Sequence, residues 1–519
     1  MGFSWQAQGG SSTTLTAPPH YQSAHPAGRA DSSCPTSTAP PSAPGGPTMR
    51  FPDLAGNELF DVVIVGAGPA GLFAALRAQR ANHARLLIVD GGQDVACRLE
   101  ARGTDPDNNE TITTGFGGAG LFSDGKLCLS HRIGSTVAHR FPVADVEHRQ
   151  HAIDELIRSG EPAPLQGVDG TAAAALQQRA AALGMEYLHY PIRHVGSDQL
   201  PGMLSRLRAR ITAGAEVRCQ TTAVDVVESE RPGVRWKVLM NQPDRPPHWV
   251  HAGCVVLAPG KVGAAWMDQL GQRLDLRRHP AQPKLGFRLE GPKDFLDPLL
   301  AVAGDPKLIW KAGNGAEVRT HCVCYGGDVV PADYDGLLLV GGHSESSHHA
   351  DRSNTAVIAT AGRALRLTAQ EVRRLVAAIN DRHAGLVAQR LGDFLTGAPS
   401  TTPVTDFARG FDPSMPHVAA GNLATELPEP VVQLLRQFVH RLAELCPQAL
   451  HPHNVLYGPA VERWAPGFAV SDDMETDRPG LFLVGDGPGL TGGIIGAAET
   501  GWLAGDAIAD RLTSAVTLL

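Results

Sequence analysis

Cationic charge is in short supply. Lys and Arg number 45 against 53 Asp and Glu, a net charge of −8. That deficit argues against a nucleic-acid binder driven by phosphate neutralisation. Charged residues as a whole are 19% of the chain and aromatics only 5%. No window of about 20 apolar residues is free of charges or turn formers, which excludes an ordinary transmembrane helix. The 8 Cys are scattered over 519 residues. That is too sparse for a disulfide scaffold, and a reducing cytoplasm is the expected setting.

Glycine is what the chain has in excess. Its 58 residues exceed the usual share of roughly 7%, and they are unevenly placed. Six fall in residues 1–50, together with 8 Pro, 8 Ser and 6 Thr but only three charged residues, Arg29, Asp31 and Arg50. Such a segment buries too little apolar surface to offset its ordering entropy, so a disordered tail is expected there. Met49 directly precedes the expected folded region and is a candidate alternative start.

The run Phe60-Asp61-Val62-Val63-Ile64-Val65 reads as a buried parallel strand. Gly66-Ala67-Gly68-Pro69-Ala70-Gly71 follows, then a helix over 72–80 and a second strand over 85–89 ending at Asp90. This is the dinucleotide fingerprint in its βαβ context. Gly66 makes the turn, Gly68 admits a pyrophosphate, and Gly71 lets helix and strand pack closely. The helix start offers free N–H groups to the phosphates, and Asp90, beside Gly91, is placed to bind ribose hydroxyls.

Two further glycine clusters follow. Residues 115–127 contain Gly115-Phe116-Gly117-Gly118-Ala119-Gly120, then Ser123-Asp124-Gly125-Lys126. Backbone so bare must pass close to something or adopt positive φ. Gly117, Gly118, Ala119, Gly120 and Ser123 are candidate cofactor contacts, and Lys126 a candidate catalytic residue. Near the C-terminus, a strand over 480–484 leads into Gly485-Asp486-Gly487-Pro488-Gly489-Leu490-Thr491-Gly492-Gly493-Ile494 and a helix over 492–512. A strand ending in Gly-Asp before a glycine-rich helix start is similar to the second fingerprint of FAD proteins. The helix start at Gly492, Gly493 and Ile494 would face the flavin edge that gains negative charge on reduction.

These motifs together resemble a family of bacterial uncharacterised FAD-dependent dehydrogenases with a dedicated C-terminal domain. The resemblance lies in residues 115–127, in Cys322-Val323-Cys324-Tyr325-Gly326-Gly327, and in residues 485–494, in matching order from about Asp61 onward. Asp486 stands where the family often has Glu, and Pro488 where it has Ala. The resemblance implies FAD and redox chemistry, with no assigned substrate.

Other segments are less specific. Strands are expected over 215–227, 234–240, 248–251, 254–258, 284–289, 321–330 and 336–340, and helices over 368–395 and 428–445. Cys322 and Cys324, at i and i+2 on a strand, should face one side. They form either a redox pair or, on the simpler reading, two small buried hydrophobes. His343, Ser344, His348, His349, Asp351 and Arg352 crowd one polar loop whose spacing matches no zinc motif. Arg352 is a candidate anion anchor, while Glu462 and Arg463 are candidates to line the flavin's open face. Pro259-Gly260-Lys261 is expected to serve backbone packing.

The expected architecture is α/β: a two-dinucleotide-binding-type, Rossmann-like FAD domain with an inserted α+β substrate domain. The expected divisions are a tail over 1–50, FAD-binding parts over 58–275 and 455–519, and an insertion over 276–454. No second G-x-G-x-x-G is present for a nicotinamide cofactor, although NAD(P)H is a candidate transient electron donor. The expected reaction is hydride transfer between a small organic substrate and flavin N5, with neither nucleic acid nor membrane as partner. The alternatives are an FAD monooxygenase using NAD(P)H and oxygen, a tRNA-modifying flavoprotein, and a non-catalytic FAD-binding protein.

Overall fold

The computed structural model describes residues 37–38, 58–104, 110–123, 125–196, 198–280, 283–344 and 349–517. The expected tail over 1–50 therefore lies outside the described residues, except for Ser37–Thr38, which pair antiparallel with Arg218 and Val217. Asp124 and His348 also lie outside them.

The apolar run after residue 58 forms the strand Glu58–Val65, with Val62, Val63 and Ile64 fully buried. Buried on both faces, it takes parallel neighbours on both sides. These are Leu86–Val89 and the second half of Arg245–Leu257. Glu216–Arg218 extends the parallel order beyond Leu86–Val89. The strands expected at 248–251 and 254–258 are one continuous strand, Arg245–Leu257. Its first half pairs antiparallel with Trp236–Gln242, and its last three residues pair parallel with Leu481–Leu483. The single strand expected over 215–227 is two, Glu216–Arg218 and Thr222–Glu228, and the latter joins the antiparallel meander.

The helix Pro69–Ala78 packs along the C-terminal helix Ile494–Thr517. Small residues allow the approach. A side chain at Gly501 would collide with the Ala70 carbonyl, and one at Gly505 would meet the Ala74 carbonyl. The glycines thereby hold together two helices whose starts lie at two different fingerprints.

A second sheet runs in the order Ala419–Ala420, Val387–Arg390, Val455–Glu462, Lys284–Pro292, Arg352–Ala361, Ala316–Cys324, Lys307–Gly313, Met185–Leu188. The expected boundary between 454 and 455 does not coincide with this change of sheet. Val455–Glu462 pairs with Lys284–Pro292, and Met185–Leu188 joins the second sheet through Lys307–Gly313.

One face of this sheet is apolar. Leu285, Phe287, Leu289, Val318, Val357, Ala359 and Val461 share a core with the helices Ala369–His383 and Glu429–Leu445. The helix expected over 368–395 is interrupted. It starts at a Thr368–Glu371 capping box and ends where Ala384 turns left-handed at φ 50°. Val387–Arg390 then enters the sheet, with Val387 and Ala388 fully buried. Strand pairing and burial there override local helical preference. Among the described residues no helix is long and apolar enough to cross a membrane.

Candidate functional site

The three glycine-rich stretches meet. A side chain at Gly66 would strike the Ala258 carbonyl, and one at Gly71 would strike the Gly66 carbonyl, so the first turn is closed by direct backbone packing. The helix Pro69–Ala78 starts from Gly68 with no side-chain cap, leaving first-turn amides open to an anion. A Cβ on Gly120 would sit 3.2 Å from Pro69 Cγ and 3.7 Å from Ile494 Cγ1. The loop therefore passes between the starts of the two helices. A Cβ on Gly485 would sit 2.9 Å from Ala70 Cβ, while Gly492 and Gly493 face open space. Around Gly68 the nearest atom to an added Cβ is Gly118 Cα at 3.9 Å. An uncapped helix start at Pro69 and a glycine-flanked one at Ile494, with bare backbone beside them, are a donor set that fits an elongated dinucleotide such as FAD.

Asp90 and Arg98 set the shape of this loop. Asp90 Oδ2 accepts the Ala67 amide at 2.8 Å, and Oδ1 accepts the Gly92 and Gly115 amides at 3.0 and 2.8 Å. The acid expected to meet ribose thus also clasps the turn to the second glycine stretch. Arg98, missed in the sequence, is fully buried and donates to the Ile112, Phe116 and Gly118 carbonyls. Its position on a short helix of mixed polarity gave no signal of that role. Ser123 is engaged within its own turn, with its hydroxyl 3.1 Å from the Gly120 carbonyl. Gly91 and Ala119 are exposed.

Asp486 Oδ1 accepts the Thr491 hydroxyl at 2.6 Å just before the C-terminal helix. Burial raises the Asp486 carboxyl, opposed by the Lys261 ammonium and the Thr491 hydrogen bond. Lys261 Nζ stands 3.2 Å from Glu462 Oε2 and 5.7 Å from the Tyr334 ring centre. The two side chains keep 20% and 25% of their surface accessible while enclosed by charged neighbours, as in a cleft. Burial opposes the Lys261 charge, but Glu462, Tyr334 and Asp486 outweigh it and raise its pKa. Burial would also raise Glu462, yet Lys261, His321 and Arg463 hold it at about 2. His321 is pushed down to about 3, first by burial and against the pull of Glu462, so its imidazole is neutral. The Pro259-Gly260 backbone packs closely on Gly487 as expected, and Lys261 in addition places its side chain beside Glu462.

The second sheet supplies the rest of this cleft. Opposite its apolar face, alternation places Glu317, Arg319 and His321 on one strand, Lys284 on another, and Glu462 at the end of a third. Lys284 pairs with Glu462 in register, and its ammonium forms an ion pair with Glu317. The signal in the sequence was Glu317-Val318-Arg319-Thr320-His321, a strict alternation that equally describes a strand facing water.

Other expected residues lie elsewhere. Lys126 is buried and donates to the Val323 carbonyl, beside the buried Lys307–Asp305 pair. It ties the loop to the second sheet. The Arg352 guanidinium meets Asp328 Oδ1 at 2.8 Å, Asp351 Oδ1 at 3.1 Å and the Asp412 carbonyl at 3.0 Å. Those partners occupy the groups an incoming anion would need. Ser344 lies 3.2 Å from His194, and His349 packs near Tyr325. Cys322 and Cys324 do not follow simple alternation. The strand bulges between His321 and Cys324, with Cys322 at φ 46° and Cys324 fully buried beside Arg288. The extra residue of a bulge shifts the side to which following side chains point. Among the described residues, no group of three His, Cys, Asp or Glu is placed to hold a metal ion.

Comparison with known proteins agrees with the two halves of this arrangement. Residues 298–462 match the family described as FAD-dependent protein, C-terminal domain-like, and residues 61–103 match the FAD binding domain. No curated protein matches the chain. Among solved structures, a flavoprotein/dehydrogenase from Cytophaga hutchinsonii is 11% identical, with a TM-score of 0.37 over 88% of this chain and 79% of its own. Glycine oxidase from Geobacillus kaustophilus is 17% identical, with a TM-score of 0.33 over 88% and 95%. A p-nitrophenol 4-monooxygenase from Pseudomonas putida is 10% identical, with a TM-score of 0.37 over 88% and 81%. The chain thus carries a segment matching the FAD binding domain at its first glycine turn and one matching the C-terminal domain of an FAD-dependent protein across its second sheet.

Proposed function

We propose that the protein is a dehydrogenase of a small organic substrate, which it holds in the cleft between the glycine cradle and the charged sheet face. The observation that carries this reading is the meeting of the uncapped helix start at Pro69 with the glycine-rich start of Ile494–Thr517, near the Lys261–Glu462 pair. FAD, when bound, supplies the two-electron chemistry by accepting hydride at N5, and the chain supplies orientation and electrostatics.

The starts of Pro69–Ala78 and Ile494–Thr517 would hold the pyrophosphate and one flavin edge through amide donors and the partial positive charge of each helix start. Asp90 spends three acceptor sites on backbone amides. A carboxylate has about four, so one remains for a ribose hydroxyl. Lys261 places a permanent positive charge in the cleft, and Glu462 fixes its position. The neutral His321 offers the substrate one donor and one acceptor. Lys126 and Arg352 act in structure rather than in chemistry.

The test is anaerobic reduction of the purified yellow protein by NADH, NADPH and a panel of small metabolites. The reading expects bleaching of the flavin by an organic metabolite, followed by reoxidation with an artificial acceptor. Reduction by NAD(P)H alone, with oxygen uptake coupled to a hydroxylated product, would replace it with the monooxygenase alternative.

A further inference from the structure

The charged face of the second sheet carries more cations than it can neutralise. Its two ionised carboxylates are already matched: Glu462 to Lys261 and Glu317 to Lys284. Arg319 and Arg463 remain. Among the described residues neither forms an ion pair, and the only hydrogen bond of Arg319 is a 3.5 Å contact to the Thr320 carbonyl. Arg288 and Arg352, on neighbouring strands, by contrast have side-chain partners at 2.7 and 2.8 Å.

Strand register brings both arginines to one charged patch, because Lys284, ion-paired to Glu317 on the strand of Arg319, lies opposite Glu462, which directly precedes Arg463. Arg319 shares a strand face with Glu317 and His321. Arg463 directly follows Glu462, and its φ of 55° breaks the strand there. A left-handed conformation is costly for a long side chain, and here it leaves the Arg463 side chain exposed rather than folded into the core. The two guanidiniums repel one another and both feel Glu462 or Glu317, so they lie in the same charged neighbourhood as Asp486 and Lys261.

We propose that Arg319 and Arg463 form the substrate's anion clamp, and that the substrate is a small organic carboxylate. Two planar guanidinium forks match a planar carboxylate, which takes paired N–H donors edge on. The clamp is separate from the FAD phosphates, whose donors are the backbone amides at Pro69–Ala78 on the other sheet. This inference rests on the dehydrogenase reading, because it assigns the binding group of that reaction's substrate.

The test uses FAD-loaded protein titrated with oxalate, with benzoate and, separately, with inorganic phosphate. Binding is followed by calorimetry and by perturbation of the flavin absorbance. The wild type is expected to bind at least one carboxylate more tightly than phosphate, with a shift in the flavin spectrum. Arg319→Gln and Arg463→Gln should each weaken that binding roughly tenfold, the scale of a lost charge-assisted hydrogen bond. Arg463→Lys should recover only part, since a point charge cannot pair edge on. Arg352→Gln removes the same charge elsewhere and should bind as the wild type does. FAD content, measured on every variant, checks that the cradle is intact.

Carboxylate binding unchanged in both Gln variants would overturn the clamp. Tighter binding of phosphate than of either carboxylate would overturn the carboxylate assignment. Absence of binding by all three anions, in a protein whose flavin is still bleached by neutral metabolites, would overturn this inference alone. Failure of any metabolite to bleach the flavin, with carboxylates still bound through Arg463, would overturn the dehydrogenase reading and leave the clamp in place.

Discussion

The two walls of the cleft are built on opposite principles. The cradle wall is largely backbone, formed by residues 66–71, 115–120 and 485–493, where neighbouring backbone leaves no room for a side chain at Gly66, Gly71 and Gly115, while Gly492 and Gly493 face open space. The opposite wall is side chain, formed by Arg319, His321, Glu462 and Arg463 of the second sheet with Lys261 from the end of the first. A backbone wall recognises what every FAD shares. A side-chain wall can be changed one residue at a time, and so is suited to select a substrate. The two should therefore fail differently when altered.

The largest effect is expected at the closed turn. Gly71→Val would drive a branched side chain into the Gly66 carbonyl and into Ile64 Cγ2, which an added Cβ meets at 3.2 Å. Overpacking costs about 1–3 kcal/mol and more where backbone cannot yield. Thermal denaturation should show a large drop in Tm or no soluble protein. Gly68→Val should behave otherwise, because an added Cβ there meets only Gly118 Cα, at an ordinary contact distance of 3.9 Å. It is expected to fold and to lose FAD, read from the flavin absorbance of the purified variant. If the two variants behaved alike, the distinction between closed and open parts of the cradle would be wrong.

Next comes the ion pair on the sheet wall. The Glu462 carboxyl is held at about 2 against 4.5 for a free side chain. A depressed carboxyl stabilises the fold above its unfolded value, and the contribution fades as pH falls from about 4.5 through about 2. By linkage it amounts to about 3 kcal/mol at neutral pH, as an upper figure. Glu462→Gln should be less stable at pH 7 and should lose part of the acid-dependent destabilisation, both measured by urea unfolding as a function of pH.

A smaller loss, about 1.5–3 kcal/mol, is expected for Asp90→Ala. It should appear first as loosened protein, because three backbone amides lose their acceptor. Hydrogen exchange at Ala67, Gly92 and Gly115 would rise even in apoprotein. Unchanged exchange with weakened FAD binding would make Asp90 a cofactor ligand alone. Smallest of all, Arg352→Gln should cost less than about 1 kcal/mol as a partly exposed pair, with FAD content unaltered.

The contrast also explains what could be read from the sequence. The cradle was legible because glycine, strand and acid recur at spacings that geometry fixes, and Gly66, Gly68, Gly71, Asp90 and Gly493 fall where those spacings put them. The long strand Arg245–Leu257 looks like two in the sequence, since the pairing that runs through it, with a change of partners halfway, is tertiary. Val387–Arg390 looks helical in the sequence, since its burial comes from distant strands. The sheet wall was only partly legible. Glu462 and Arg463 were singled out by their place before the last strand. Arg319 and His321 were not, since charged residues alternating with Val318 and Thr320 carry no mark of what lies opposite. Lys126 and Arg352 drew notice for their chemistry, but their partners, Val323 and Asp328, are set by tertiary pairing.

The central claim is that FAD lies across the meeting of the three glycine stretches, with the charged sheet wall facing its reactive ring. A crystal structure of the FAD-loaded protein tests it directly. The account predicts the isoalloxazine ring against Gly492 and Gly493, with Lys261, Glu462 and Arg463 on its open side. A ring bound away from Gly493, or one sealed from Lys261 and Glu462 by intervening chain, would contradict it.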